Sequence, residues 1–273
     1  MANRNTVVLV TGASSGIGNA CATHLAKRGY RVYGTCRNPL AYVKKADEFF
    51  EMIAMNATDD QSVAKAVAGI IAAEGKIDAV VCNAGMGISG SVEDCGIEEI
   101  KLQMDTNFLG VVRLVKALLP SFRNGASGRF IIMSSMAGVV GMPFQAFYSS
   151  SKYALEGFVE SLRYEVRPFR VQACLVEPGD FRTGFTAARQ PALPAESPYR
   201  RYYDAAMGVQ VRDETAGHDP VEVAKLIQTL VEARKLRTRY TVGPLFERFA
   251  VILKRIIPAG AFELFYRKYY RLP

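Results

Sequence analysis

The sequence predicts an α/β domain built on a seven-stranded parallel sheet with helices on both faces. Three observations carry this reading. Short β-rich apolar runs alternate with longer segments of helical period along most of the 273 residues. The central runs, among them AVVC, FIIM and QACLV, are apolar at every position, as strands buried on both faces must be. The first run also ends in a glycine-rich turn that opens directly into a helix, the arrangement of a βα unit in a doubly wound sheet.

Strands are expected at Thr6–Val10, Arg31–Cys36, Glu51–Met55, Ala79–Cys82, Arg129–Met133, Val171–Glu177 and Tyr240–Val242. Helices are expected near Gly16–Arg28, Asp60–Glu74, Ile97–Arg123, Tyr148–Arg167 and Pro220–Arg234, with only an abbreviated helix between the second and third strands. No internal repeat or low-complexity linker divides the chain, so residues 1–243 are read as one domain. Within it, Phe181–Gly217 breaks the alternation, carries Pro191, Pro194 and Pro198, and is rich in aromatic residues. A loop of this length in a compact domain is expected to be a lid over a binding site. Residues 244–273 form a C-terminal extension.

Composition narrows the function class. Hydrophobic residues at 49% and charged residues at 22% are ordinary for a globular protein. Five scattered cysteines (Cys21, Cys36, Cys82, Cys95 and Cys174), with no CxxC pair, predict unpaired thiols and a reducing, cytoplasmic setting. The first apolar run is too short for a signal peptide, and no segment is long enough to span a bilayer. The net charge of +8 is confined to residues 234–273, which hold ten Lys/Arg against two Glu; the remainder is balanced at 24 of each sign. A neutral body argues against a nucleic-acid-binding core. His24 and His218 are read as structural, and no metal site is expected.

The turn after the first strand reads Thr11-Gly12-Ala13-Ser14-Ser15-Gly16-Ile17-Gly18. Glycines let the backbone turn sharply and approach a pyrophosphate, while the helix N-terminus supplies free N–H groups and a positive dipole end. Further along, Asn83-Ala84-Gly85 closes the fourth strand, Ser135 lies 13 residues before Tyr148, Lys152 follows one helical turn later, and Pro178-Gly179 ends the sixth strand with Thr183 beyond it. A Tyr and a Lys four apart are by themselves an ordinary solvated helix face. Together and in this order, TGxxxGxG, NAG, Ser, YxxxK and PG resemble the motifs of the short-chain dehydrogenase/reductase family, compact single-domain type, over about residues 6–242. TGASSGIG, the basic residue at Arg37 and the run LEGFVESLRYEV are most similar to its 17β-hydroxysteroid and retinol dehydrogenase branch.

The resemblance implies a Rossmann-type fold and hydride exchange between a nicotinamide cofactor and a carbonyl or alcohol. It implies Tyr148 as general acid/base, Ser135 holding the same substrate oxygen, and Lys152 on the nicotinamide ribose. Asn107, in MDTNFLG, would bind a relay water leading from Lys152 to solvent. A tyrosine near its ordinary pKa of about 10 is a poor base, and the ammonium of Lys152 together with the cofactor's own positive charge is expected to lower it. Ser134 precedes Ser135, and the 13-residue spacing selects Ser135.

An NAD site places a carboxylate at the end of the second strand, where it repels a 2′-phosphate. This chain has Cys36 followed by Arg37, so NADP(H) is favoured over NAD(H). Asn56 stands where the family commonly has an aspartate near the adenine, and its carbonyl oxygen is expected to meet the adenine amino group. The cofactor contacts are therefore expected from Gly12, Ser14, Ser15, Gly16, Ile17, Gly18, Arg37, Asn56, Asn83, Ala84, Gly85, Tyr148, Lys152, Pro178, Gly179 and Thr183. Met86, Met142, Phe144 and Phe147 are expected to line a pocket for a small apolar ketone, aldehyde or alcohol.

For the basic tail three readings stand: packing on the body or substrate mouth, which is favoured; contact with an anionic membrane surface; and a partner-protein surface. Pairing through the two long helices, by resemblance, predicts a homodimer. A catalytically silent cofactor sensor of the same fold is the alternative function, but such proteins lose the tyrosine or lysine that this chain keeps. The family's longer epimerase or dehydratase form has a GxxGxxG turn, which is not seen here.

Overall fold

The computed structural model describes residues 5–273; the first four residues, where the expected domain begins, lie outside the described residues. Strands β1 (Val7–Val10), β2 (Arg31–Cys36), β3 (Glu51–Ala54), β4 (Ala79–Cys82), β6 (Arg129–Met133), β7 (Gln172–Pro178) and β9 (Arg239–Val242) form one sheet in the order β3-β2-β1-β4-β6-β7-β9. Every pairing is parallel. The two-residue strands β5 (Ile88–Ser89) and β8 (Gln190–Pro191) pair separately.

Helices α1 (Gly16–Lys27) and α8 (Val221–Glu232) cover one face through Cys21, Leu25, Ala224, Ile227 and Leu230. Helices α2 (Asp60–Glu74), α4 (Gly110–Asn124) and α5 (Ala146–Val166) cover the other through Val63, Val67, Leu114, Leu118, Leu155, Val159 and Leu162. Both cores share strands that are buried throughout, which is why those strands read as unbroken apolar runs. Asp59 caps α2, its carboxylate accepting from the Gln61 and Ser62 N–H groups. Between β2 and β3 there is only a single 3₁₀ turn at Pro39–Ala41, as the short segment predicted.

The helix expected over Ile97–Arg123 is present, with a π-helical turn at Asp105–Leu109 joining α3 (Ile97–Met104) to α4. The Asn107 carboxamide, held by the backbone of the segment after β4, sits in that turn. One expectation is corrected: the presumed lid loop is largely helical, with α6 (Phe185–Ala188) and the 17-residue α7 (Arg200–Ala216). It is tied to the body by β8 on β5, by the Tyr203–Ser89 hydroxyl pair at 2.9 Å, and by Ser197 Oγ donating to Asp94 at 2.7 Å. The C-terminal extension folds as α9 (Leu245–Ile256) and α10 (Ala259–Tyr269). No helix among the described residues is long and apolar enough to cross a membrane.

Candidate active site

The sheet order reverses between β1 and β4, and a crevice opens there at the C-terminal ends of the strands. A cavity of about 620 Å³ occupies it, lined by the glycine turn, the ends of β2 and β4, the start of α5, the Pro178–Gly179 turn, α6, and residues of α9 and α10.

The glycine turn and the Asn83-Ala84-Gly85 segment are stitched together. Thr11 Oγ1 accepts from the Asn83 and Ala84 N–H groups, both at 2.9 Å, and Asn83 Nδ2 donates to the Thr11 carbonyl at 3.0 Å. Thr11, absent from the expected contacts, is thus the residue that fixes both loops. Gly12 takes φ +66°, and a Cβ there would lie 2.9 Å from Ala84 Cα, so only glycine permits this approach. A side chain on Gly18 would collide with the Gly12 carbonyl. Ser14 and Ser15 are exposed at the cavity edge, and Ser15, at the N-cap of α1, makes no side-chain cap bond. That leaves the first-turn N–H groups and the dipole end available to an anion. Thr183 stands over the turn, its Cβ 3.3 Å from where a Gly16 Cβ would be.

Arg37 is exposed on the cavity rim beside half-buried Cys36, and has no hydrogen-bond or ion-pair partner among the described residues. A cradle that any Cβ would fill, an uncapped helix start and an unpaired guanidinium fit a dinucleotide with a phosphorylated ribose. Asn56 differs from expectation. Its Oδ1 accepts from Thr58 N–H at 3.2 Å and Thr58 Oγ1 at 3.0 Å, so the carbonyl is engaged within its own turn and the amide nitrogen is the group left for a ligand.

Ser135, Tyr148 and Lys152 converge on the cavity. The two serines part here. Buried Ser134 donates to Glu156 at 2.5 Å, whereas Ser135 faces the cavity with Tyr148 and its hydroxyl accepts from Ala137 N–H at 3.1 Å. Lys152 Nζ lies 5.8 Å from the Tyr148 ring centroid and donates to the Met133 carbonyl at 2.9 Å. The Phe185 ring, from α6, packs 5.7 Å from that of Tyr148. Asn107 uses both amide hydrogens, on Met86 O at 2.9 Å and Ser151 Oγ at 3.0 Å, and accepts from Met86 N–H at 2.8 Å. Its side chain clamps the Met86 segment.

The protein's own groups do not by themselves acidify the phenol. Burial pushes Tyr148 up to about 12, with Ser135 working in the opposite direction and Glu214 adding to the rise. Burial pushes Lys152 down to about 8, opposed by Glu156. The protein's own groups therefore hold the phenol neutral around pH 7, and a neutral phenol is a proton donor.

Sequence reasoning missed the carboxylates of the far wall. Glu247 on α9 reaches over the Pro178–Gly179 turn and accepts from Asp180 N–H at 2.9 Å. Glu214 on α7 forms a buried ion pair with Arg189, and Gln210 donates to Asp180 at 3.2 Å. Burial, then the charges of Glu247 and Glu214, push Asp180 up to about 9. A carboxyl whose folded pKa lies above its unfolded value holds an extra proton when folded, so stability is lost as pH rises from about 4 through 9. Asp180→Asn keeps the acceptor for Gln210 but cannot ionise. Its melting temperature at pH 8 should rise, at roughly 2–4 °C per kcal/mol of repulsion removed, and calorimetry showing a fall would contradict this reading.

Met86 and Met142 line the cavity; Phe144 and Phe147 do not. Phe144 adopts φ +58° and packs edge-on against Tyr203 at 5.5 Å, while Phe147 is half-buried elsewhere. Phe246, Val251 and Phe265 from the extension supply apolar wall in their place. His24 bonds Gln228, His218 bonds Glu222, and neither lines the cavity.

The sequence model for a family described as short chain dehydrogenase matches residues 6–193. The chain is 38% identical over 268 residues to 3-ketodihydrosphingosine reductase of Bacteroides thetaiotaomicron, covering 97% of this chain and 98% of that protein. It is 34% identical to human 17-beta-hydroxysteroid dehydrogenase type 1, covering 94% and 83%. A solved short-chain dehydrogenase from Streptomyces avermitilis superposes with a TM-score of 0.80 at 29% identity, covering 97% of this chain and 98% of that one.

Proposed function

Because this chain belongs to the short-chain dehydrogenase/reductase family, we propose that it is an NADP(H)-dependent reductase of a largely apolar ketone or aldehyde, with Tyr148 as the proton donor. The observation that carries the reading is the meeting of Ser135, Tyr148 and Lys152 at the cavity floor, beside the glycine turn.

A bound nicotinamide supplies the hydride. The Tyr148 phenol, kept protonated by its burial, donates its proton to the carbonyl oxygen as charge develops there. Ser135 holds that oxygen in line with a second hydrogen bond. Lys152, anchored on the Met133 carbonyl, would offer its remaining protons to the nicotinamide ribose and places a cation near the phenolate that proton loss creates. In the reverse reaction the same phenolate would take the proton back. Arg37 would hold a 2′-phosphate, with no carboxylate at Cys36 to oppose it.

The wall of Met86, Met142, Val140, Phe246, Val251 and Phe265 favours a lipophilic substrate. The relatives named after 3-ketodihydrosphingosine and 17-beta-hydroxysteroids support that class for this chain too. Assayed by NADPH consumption against ketones and aldehydes of rising hydrocarbon content, kcat/KM should climb with apolar size. NADPH binding without turnover of any of them would favour the cofactor-sensor reading.

Five unpaired cysteines favour a reducing, cytoplasmic compartment; intermolecular disulfides in protein purified without reductant would contradict it. Exposed Leu109, beside α4, and Tyr164 on α5 favour a homodimer through these helices. Analytical ultracentrifugation should give twice the chain mass; a monomer at working concentration refutes the pairing.

A further inference from the structure

One face of α9 roofs the cavity through Phe246, Glu247, Ala250 and Val251. The opposite face is also apolar, and it is bare. Leu245, Phe249, Ile252 and Ile256 are 78%, 57%, 54% and 73% exposed. Their spacing of four, three and four residues sets them in one line along a helix of about 18 Å. A run of large apolar side chains kept in water is not how isolated surface residues scatter, and it marks a contact surface. Arg248 and Arg255, seven residues apart, flank the line on one side; both are exposed and unpaired among the described residues. Lys254, by contrast, turns inward to the Val139 carbonyl and the Tyr153 hydroxyl. Arg267 and Lys268, in the last turn of α10, and Arg271 beyond it, are exposed as well.

We propose that this face is a docking surface for an anionic lipid bilayer: α9 lies flat in the interface with its outer line among the acyl chains and its arginines on the lipid phosphates. Charge decides between occupants. The extension, residues 244–273, holds six Lys/Arg against two Glu, so a second copy docking here would set like charges against each other. A single helical line is also far narrower than the roughly 800 Å² per partner of a stable protein interface. A basic amphipathic helix on a negatively charged surface suffers from neither difficulty, because shallow burial and electrostatic attraction act together. The docked helix would be the same one that closes the cavity, which places an apolar binding site against the phase where apolar molecules collect. The docking itself does not depend on the proposed reaction.

The test is flotation of the full-length protein with phosphatidylcholine vesicles, with and without phosphatidylglycerol. Three forms are compared: wild type, Phe249→Ser/Ile252→Ser and Arg248→Gln/Arg255→Gln. Wild type should float with the anionic vesicles and stay behind with the neutral ones, and binding should weaken with salt. Each double variant should lose on the order of tenfold in partitioning. None of the four residues lines the cavity, so NADPH consumption on a soluble ketone should be unchanged in both variants; this separates lost docking from misfolding, and a chain with no reductase activity still answers the vesicle question. Absence of wild-type binding at low salt, or equal binding by all three forms, overturns the proposal. So does a self-association that the serine variant abolishes while vesicle binding is absent.

Discussion

Tyr148→Phe should lower kcat for carbonyl reduction by about 10²–10⁴, the range lost with a positioned general acid, while leaving the dissociation constant for NADPH nearly unchanged. The phenol shares the cavity lining with Ser135 and Lys152, and phenylalanine keeps the ring packed against Phe185. Stopped-flow reduction under saturating NADPH, with cofactor fluorescence titrated separately, distinguishes a lost proton from a disturbed site. A variant that retains most of the wild-type kcat would remove Tyr148 from the chemistry.

Cofactor choice should move nearly as far. Arg37→Ala removes an unpaired guanidinium whose charge-assisted bonds to a phosphate are worth about 1.5–3 kcal/mol, so KM for NADPH should rise on the order of 10- to 150-fold. KM for NADH, which carries no 2′-phosphate, should change by less than about threefold on the same grounds. Adding Cys36→Asp would place a carboxylate where the ribose lies, and should complete the reversal by repelling the phosphate and accepting from a free 2′-OH. Parallel losses for both cofactors in steady-state kinetics would mean that Arg37 acts only on the fold.

The sheet was legible because its physics is local. Strands such as Ala79–Cys82 are covered on both faces, so their apolar runs are unbroken, and the glycine turn is fixed by sterics at Gly12 and Gly18 that no other residue satisfies. The long insertion was not legible as a helix. The buried positions of α7 are Tyr203, Ala206, Met207, Val209, Gln210 and Glu214, and two of these six are polar. Hydrophobic periodicity cannot register a face that packs against carboxyls and a buried arginine. The π turn at Asp105–Leu109 likewise has no compositional signal; what fixes it is the pairing of Asn107 with Met86, 21 residues away.

Glu247 was hidden for a related reason. In a segment with ten basic residues a lone glutamate reads as part of a solvated face, whereas it turns inward onto Asp180. For Tyr148, a four-residue spacing gives proximity to a lysine but carries no information about desolvation. At this depth burial outweighs the neighbouring charge and moves the phenol up and the ammonium down.

The most direct measurement is a crystal structure of the complex with NADP⁺ and an apolar ketone. The ketone oxygen should lie within hydrogen-bond reach, about 2.6–3.2 Å, of both Tyr148 Oη and Ser135 Oγ, with Arg37 on the 2′-phosphate. A ketone oxygen held elsewhere, with the Tyr148 hydroxyl buried away from it, would contradict the proposed chemistry.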